Sequence, residues 1–253
     1  MAGRGRSASR LASAYGLALL LGSAVSAQTP PPPQTAKASA PIDLTGYWVS
    51  FVTEDWRYRM VTPAKGDYRG VPITREALQI VNAWDPAADD AAGNQCKSYG
   101  AASIMRVPGR LHVTWQDDNT LKVDTDAGTQ TRLLRFGAPA AAEGPRTWQG
   151  QSAATWLRAA PAPGGPPSSR GSLSAVTTNM RAGYLRKNGV PYSENARVTE
   201  YFDVAGPANA QLLVVTTVVD DPRYLLQPFI VSSNFKKEAD GSKWDPTPCS
   251  STW

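Results

Sequence analysis

The sequence contains one histidine and two cysteines among 253 residues. Protein sites for zinc and other transition metals usually need three or four soft or imidazole ligands, so this composition excludes most of them. Any Ser–His–Asp or Cys–His apparatus must use His112. The chain also lacks a phosphate-binding glycine loop, a nucleophile elbow and an HExxH motif. We therefore expect neither a metal nor another cofactor.

Long apolar runs are also scarce, and the one near the start is typical of a secretory signal peptide over residues 1–27. Three arginines precede a short apolar stretch at 11–22, and small residues before Ala27 match a cleavage site. The stretch is too short to span a bilayer well, which makes a retained anchor the less favoured alternative. We expect an exported protein, in the periplasm or outside the cell, with no integral membrane segment after cleavage.

Export changes how the charge and the cysteines are interpreted. The 26 basic and 21 acidic residues give a net charge of +5, and cleavage removes three arginines and no acid, leaving +2. No Lys/Arg cluster remains, so nucleic acid is not an expected partner. In an oxidising compartment Cys96 and Cys249 are expected to form a disulfide. Two separate buried thiols are the alternative.

Composition divides the remaining chain into a linker and one domain. Residues 28–41 include four consecutive prolines, which favour an extended, semi-rigid spacer. Residues 42–253 are expected to form a single β-barrel domain. The Pro/Gly-rich segment 161–171 is interpreted as a surface loop, because both of its flanks resemble strands.

Short runs of β-branched and aromatic residues between turn signals predict about ten strands and almost no helix. The exception is Thr74–Trp84, whose apolar stripe and capping threonine predict one helix that covers or plugs a sheet. The first strand is predicted at Gly46–Thr53, and its extension through Met60 is left open. This pattern favours an all-β fold, an antiparallel barrel of about eight to ten strands or a sandwich. The other predicted strands are Ile104–Val107, Arg110–Asp117, Thr120–Asp126, Thr129–Phe136, Ser152–Leu157, Ser172–Thr178, Ala196–Asp203, Gln211–Val219 and Gln227–Phe235.

The meander permits a prediction about its faces. If Asp118-Asn119 is a two-residue hairpin loop, Thr114 pairs with Val123, and the following hairpin pairs Val123 with Arg132. Polar side chains then share one face of the sheet, which fits a barrel with polar groups in its lumen. These side chains are His112, Thr114, Gln116, Gln130 and Arg132.

Binding of a small apolar or aromatic molecule is the favoured function. Residues 54–59 combine two acids, two arginines and two aromatics, which suits an aromatic ligand with a polar head. The alternative for this segment is a strand with one buried aromatic face and one salt-paired face. The oligomeric state is left open. The expected ligand-binding residues are Trp48, Trp56, Tyr58, Thr114, Tyr184 and Tyr192, and Arg186-Lys187-Asn188-Gly189 is expected at a pocket rim.

An enzyme independent of metals and nucleotides is the alternative, acting as a lyase, isomerase or hydrolase. His112 would be its general acid or base, because only histidine has an unperturbed pKa suited to proton transfer near neutrality. Asp55 would orient the imidazole, and Arg57 or Arg132 would stabilise developing negative charge. A structural protein of the envelope is a third possibility.

Several segments carry a family resemblance. Gly46-Tyr47-Trp48 resembles the opening motif of lipocalins and other calycins, in which the tryptophan packs at the closed end of an up-and-down barrel. Most of the mature chain is similar to uncharacterised exported bacterial proteins of this calycin type. The resemblance implies a lipocalin-like barrel and carries over no catalytic residues. The other matching segments are Cys96–Gly100, Trp148–Ser152 with Trp156, Val198–Phe202, Leu213–Pro222 and Gln227–Phe229.

Overall fold

The computed structural model describes residue 3 and residues 34–137, 144–160 and 171–252. The predicted signal peptide (apart from Gly3), the proline run of the linker and nearly all of the loop at 161–171 lie outside these ranges. Residues from Gln34 onward cluster as one compact unit. The described part of the chain has no helix that is both long enough and apolar enough to cross a membrane.

Eleven strands and three α-helices are formed within the described residues. The strands are β1 (Gly46–Ser50), β2 (Arg110–Asp117), β3 (Thr120–Thr125), β4 (Gln130–Phe136), β5 (Gln151–Arg158), β6 (Gly171–Thr178), β7 (Gly183–Arg186), β8 (Val190–Tyr192), β9 (Arg197–Ala205), β10 (Leu212–Asp220) and β11 (Phe229–Glu238). The helices are α1 (Trp56–Arg59), α2 (Arg75–Ala83) and α3 (Pro86–Ala91), with 3-10 helices at Gln95–Tyr99 and Ile104–Arg106.

Nine strands close into a barrel in the order β1-β11-β10-β9-β6-β5-β4-β3-β2, and β7 pairs with β8 outside it. The prediction of an all-β barrel with one short helix is confirmed, since only α2 exceeds six residues. The prediction of antiparallel pairing holds for every barrel pair except β4–β5, which is parallel. Strand direction reverses at each antiparallel pair, so a closed ring needs an even number of them. A nine-stranded ring therefore requires a parallel pair.

The barrel interior is the main core of the protein. Along β10, buried residues alternate with half-buried ones, as expected for a strand with one face toward a core. Large side chains from several strands are fully buried together with short apolar ones. The largest of these are Trp48, Leu121, Leu134, Leu173 and Phe235.

The predicted faces of β2 are wrong because of one irregularity. The turn lies where predicted, with Asp117 opposite Thr120. A β-bulge at Gln116 then shifts the register by one residue, so that His112 pairs with Asp124. A shift of one residue moves every side chain to the opposite face.

As a result, Leu111, Val113 and Trp115 belong to the core side of β2, whereas His112 and Thr114 lie on the outer side. The predicted register of β3 with β4 is confirmed, and Arg132 points inward.

The helix predicted at residues 74–84 is confirmed as α2. The Thr74 side chain accepts a hydrogen bond from the backbone N–H of Ala77, and Ala77 and Val81 are buried. The prediction did not include α3, which begins at Pro86 and is capped by the Asp85 carboxylate. Proline is compatible with the first turn of a helix, so Pro86 can begin α3 shortly after α2 ends at Ala83.

Two predicted strand segments are helical turns instead. The first strand ends at Ser50, Asp55 adopts a left-handed conformation with φ of 51°, and residues Trp56–Arg59 form α1. The segment predicted as a strand at Ile104–Val107 contains a buried 3-10 helix. Periodicity does not distinguish a strand from a helical turn in so short an apolar run.

Residues 34–44 cross one end of the barrel, and we call them the strap. The backbone N–H groups of Ala36 and Lys37 bond to the β2–β3 turn, and the Ala36 carbonyl accepts a bond from the Trp156 indole on β5. Ala36 and Leu44 are buried. The predicted linker boundary at Pro41 therefore falls later than the first residue that packs on the barrel.

The opposite end is covered by a cap, which consists of residues 54–107 and 179–196. Its core joins α2 to the β7–β8 hairpin, which the sequence interpretation had treated as a loop. The predicted disulfide between Cys96 and Cys249 is confirmed, and it fastens the C-terminal tail to the first 3-10 helix of the cap.

Candidate functional site

His112 lies on the outer wall of the barrel rather than in the lumen. Its ring stacks on Tyr47 with a centroid distance of 4.1 Å, and Trp244 from the C-terminal tail lies across both rings. These residues and Asp124 border an open surface pocket of about 230 Å³. The imidazole is thus held by aromatic packing at the protein surface.

The two charged residues predicted to assist His112 from the first strand belong to the cap. Asp55 accepts a hydrogen bond from the Arg106 guanidinium at 3.0 Å. The Arg57 side chain is 59% exposed and lies 3.8 Å from Asp67. The structure therefore does not bring Asp55, Arg57 and His112 together.

Arg132 is the one predicted catalytic residue inside the barrel. It forms a two-pronged ion pair with Glu200 at 2.9 and 2.5 Å, and both side chains are fully buried. The guanidinium also donates to Thr177, whose hydroxyl shares a hydrogen bond with Ser152. This is an internal ion pair inside the barrel, on the other side of the wall from His112, and Nε of Arg132 is left without a hydrogen-bond partner among the described residues.

The predicted ligand-binding residues are spread over several surroundings. Trp48 is fully buried in the barrel, whereas Thr114 lies outside and Trp56 is 65% exposed on α1. Tyr192 is fully buried, and Tyr184 donates a hydrogen bond to Asp89 at 2.8 Å.

Tyr58 lies in the cap, beside one of the residues expected at a rim. Its ring is stacked 4.0 Å from the Arg186 guanidinium. It borders a small pocket in the cap.

An aromatic cluster at the strap end was not predicted. Trp115, Phe136 and Trp156 come from β2, β4 and β5, and their ring centroids lie 5.0 to 6.4 Å apart. All three are half-buried on the core side of their strands. Trp115 also borders a pocket of about 260 Å³ beneath the strap, together with Pro41 and Ile42. The predicted register lacked the bulge at Gln116 and therefore put Trp115 on the outer face, which hid this cluster from sequence reasoning.

Buried cations are concentrated in the cap. Four basic side chains with at most 5% exposure border or face one small pocket of about 20 Å³. Arg59 pairs with Glu54, and Arg106 with Asp55. Lys187 donates to the Tyr99 hydroxyl and to the carbonyl of Ser250, both at 2.6 Å. The four are Arg59, Arg106, Arg186 and Lys187.

Burial dominates the ionisation of these groups. It lowers the pKa of Lys187 to about 8 and those of Arg59 and Arg186 to about 10. The positive charge of Arg106 lowers the pKa of both arginines further. The cap thus holds charges that its surroundings only partly compensate.

The free energy of unfolding should depend on the protonation of the buried Lys187. Its pKa is lower in the folded chain than in the unfolded chain, so the unfolded state binds the proton more tightly between about pH 8 and 10.5. We expect the free energy of unfolding to rise over this range, by at most about 1.4 kcal/mol per pH unit. Urea unfolding at successive pH values should show a flatter curve for Lys187→Met. Parallel curves for the two proteins would contradict the assignment.

The comparisons with known proteins identify no relative. No protein-family model matches the sequence, and neither the curated proteins nor the solved structures gave a significant match. Within the described ranges, no group of three or more His, Cys, Asp or Glu side chains is placed to hold a metal ion.

Proposed function

We propose that this protein is an exported, lipocalin-like barrel that binds a small apolar or aromatic molecule at its strap end. The barrel strands follow one another around the ring in chain order, apart from the excursion of β7 and β8, as in up-and-down barrels. Trp48, in the motif that resembles the calycin opening, is buried in the barrel core. Export is supported by the signal-like residues 1–27 and by the disulfide, which is typical of oxidising compartments.

The aromatic cluster of Trp115, Phe136 and Trp156 carries this proposal. Aromatic rings at this spacing offer a platform for a further ring, and pockets for small molecules are lined mainly by apolar and aromatic groups. The neighbouring pocket adds Pro41 and Ile42 from the strap, and the charged side chains of Lys37 and Asp43 also border it. The side-chain-filled layers below the cluster favour a binding site at the mouth of the barrel over one deep in its lumen.

The enzymatic alternative receives no support from this geometry. His112 stacks on the outer wall, whereas Asp55 and Arg132 are engaged by Arg106 and Glu200 elsewhere. A general acid or base needs its partners within hydrogen-bonding reach of the same substrate.

A neutral aromatic probe tests the binding function. N-phenyl-1-naphthylamine, whose emission rises in apolar surroundings, should bind the mature protein saturably. Trp115→Ala should weaken this binding about tenfold, because the ligand loses a ring contact and apolar burial. Trp56→Ala is the matched control, since its indole is 65% exposed at the cap end, and it should bind normally. Absence of saturable binding, or equal binding by all three proteins, would refute the proposal.

A further inference from the structure

Three guanidinium nitrogens in the cap are buried and have no hydrogen-bond partner among the described residues. They are Nη2 of Arg59, Nη1 of Arg106 and Nε of Arg186. Leaving a buried donor unsatisfied is costly, and more so when the donor is charged. Folded proteins rarely tolerate this, so each such group calls for an acceptor. Three of them in side chains that border one pocket point to a shared acceptor.

The pocket bordered by these arginines, which we call the cap pocket, lies between α1, the two 3-10 helices and β7. Its volume of about 20 Å³ is room for one or two water-sized groups. Ser98 and Ser103 also border it, together with the apolar side chains of Val107 and Leu185. The oxygens of a carboxylate fit this volume, whereas a large organic molecule does not.

Charge decides what kind of acceptor is required. Glu54 and Asp55 each pair with one of the arginines, Arg59 and Arg106. Arg186 donates to the carbonyl of Arg69 and stacks on Tyr58, and no carboxylate of the described residues lies within ion-pair distance of it. Water would satisfy hydrogen bonds without balancing this charge. An anion satisfies both requirements, and arginine's planar fork suits a carboxylate particularly well.

We propose that the cap pocket binds a carboxylate-sized, singly charged oxyanion, held by the free N–H groups of Arg59, Arg106 and Arg186. The anion is either a small free ion or the carboxylate of an organic acid whose remainder points to solvent. This site is separate from the strap end and does not depend on the function proposed there. Its occupant reduces the excess positive charge and supplies an acceptor for these three N–H groups.

Thermal unfolding of the mature protein tests the site. Formate, acetate, benzoate and phosphate are compared with chloride at constant ionic strength and pH 7. Formate should raise Tm saturably, by about 5 °C at a hundredfold excess over its Kd. Equilibrium dialysis with radiolabelled formate should give one site per chain. If benzoate raises Tm as much as formate does, the occupant is the carboxylate of an organic acid. If only formate and acetate raise Tm, the occupant is a small free ion. A shift with phosphate alone, or none, would overturn the proposal.

Arg186→Met is the decisive variant. In chloride it should be at least as stable as the unaltered protein, because a buried charge that its surroundings only partly compensate is removed. It should nevertheless lose the formate-induced shift and the dialysis site. A purely structural arginine would instead cost stability equally in every salt.

Arg181→Met is the matched control, because Arg181 is exposed and stacks on Trp148 at 4.1 Å, much as Arg186 stacks on Tyr58 at 4.0 Å. It should retain both the shift and the site. If Arg186→Met fails to fold, Arg186→Lys keeps the charge but loses the fork, and formate should bind about tenfold more weakly. Unchanged affinity in every foldable variant of Arg186 would refute the site.

Discussion

Replacing Glu200 with glutamine should lower the free energy of unfolding by about 3–5 kcal/mol. The substitution leaves the guanidinium of Arg132 charged inside the barrel, where both partners are fully buried. Removing one member of a buried pair costs more than the pair contributes, because the remaining charge keeps its desolvation penalty without its partner. Urea unfolding followed by circular dichroism measures the loss.

Two controls separate this explanation from general damage to the core. Arg132→Met combined with Glu200→Met removes both charges and should recover most of the stability. Glu76→Gln breaks an exposed pair with Arg223, about half exposed on each side, and should cost less than about 1 kcal/mol. A double variant as unstable as Glu200→Gln would show that the pair has a role beyond mutual compensation.

Loss of the disulfide should be the second large effect. The bond joins residues 153 positions apart, so it restricts most of the described chain in the unfolded state. Replacing Cys96 and Cys249 together with alanine should cost up to ~5 kcal/mol by the chain-entropy argument. The Tm of the oxidised protein should fall to that of the double variant when a reductant is added.

The double variant provides its own control, because the reductant should leave its Tm unchanged. Hydrogen exchange should also quicken near Ser250, whose N–H and carbonyl bond to Tyr99 and Lys187 in the folded protein. Equal Tm values for the oxidised protein and the double variant would mean that these tail contacts suffice without the covalent bond.

Secondary structure was predictable from the sequence wherever an alternation of apolar and polar residues is bounded by turn residues. The strands β2, β3 and β10 lie within one or two residues of their predicted bounds, because each combines period-two burial with a clear turn. Helix α2 was predictable for a similar reason, since its cap and its apolar stripe agree. The disulfide followed from the expected compartment and the count of two cysteines.

The positions of the candidate site residues depend on backbone features that the hydrophobic pattern of the sequence does not show. The bulge at Gln116 leaves no sequence signal, yet it moved His112 out of the lumen and Trp115 toward it. The left-handed Asp55 redirected the charged segment into the cap. Glu200 was detectable, because it alternates with Val198 and Phe202 on the inner face, and a charge at such a position requires a buried partner.

The parallel pair of β4 and β5 is the place in the barrel where the loss of one strand disturbs the strand directions least. If either member were lost, its two neighbours would be antiparallel, and the remaining eight strands would alternate around a closed ring. Loss of a strand elsewhere would create a second parallel pair and require another crossover. Insertion or deletion of a single strand is therefore simplest at this junction, and relatives with eight-stranded barrels should differ from this protein there.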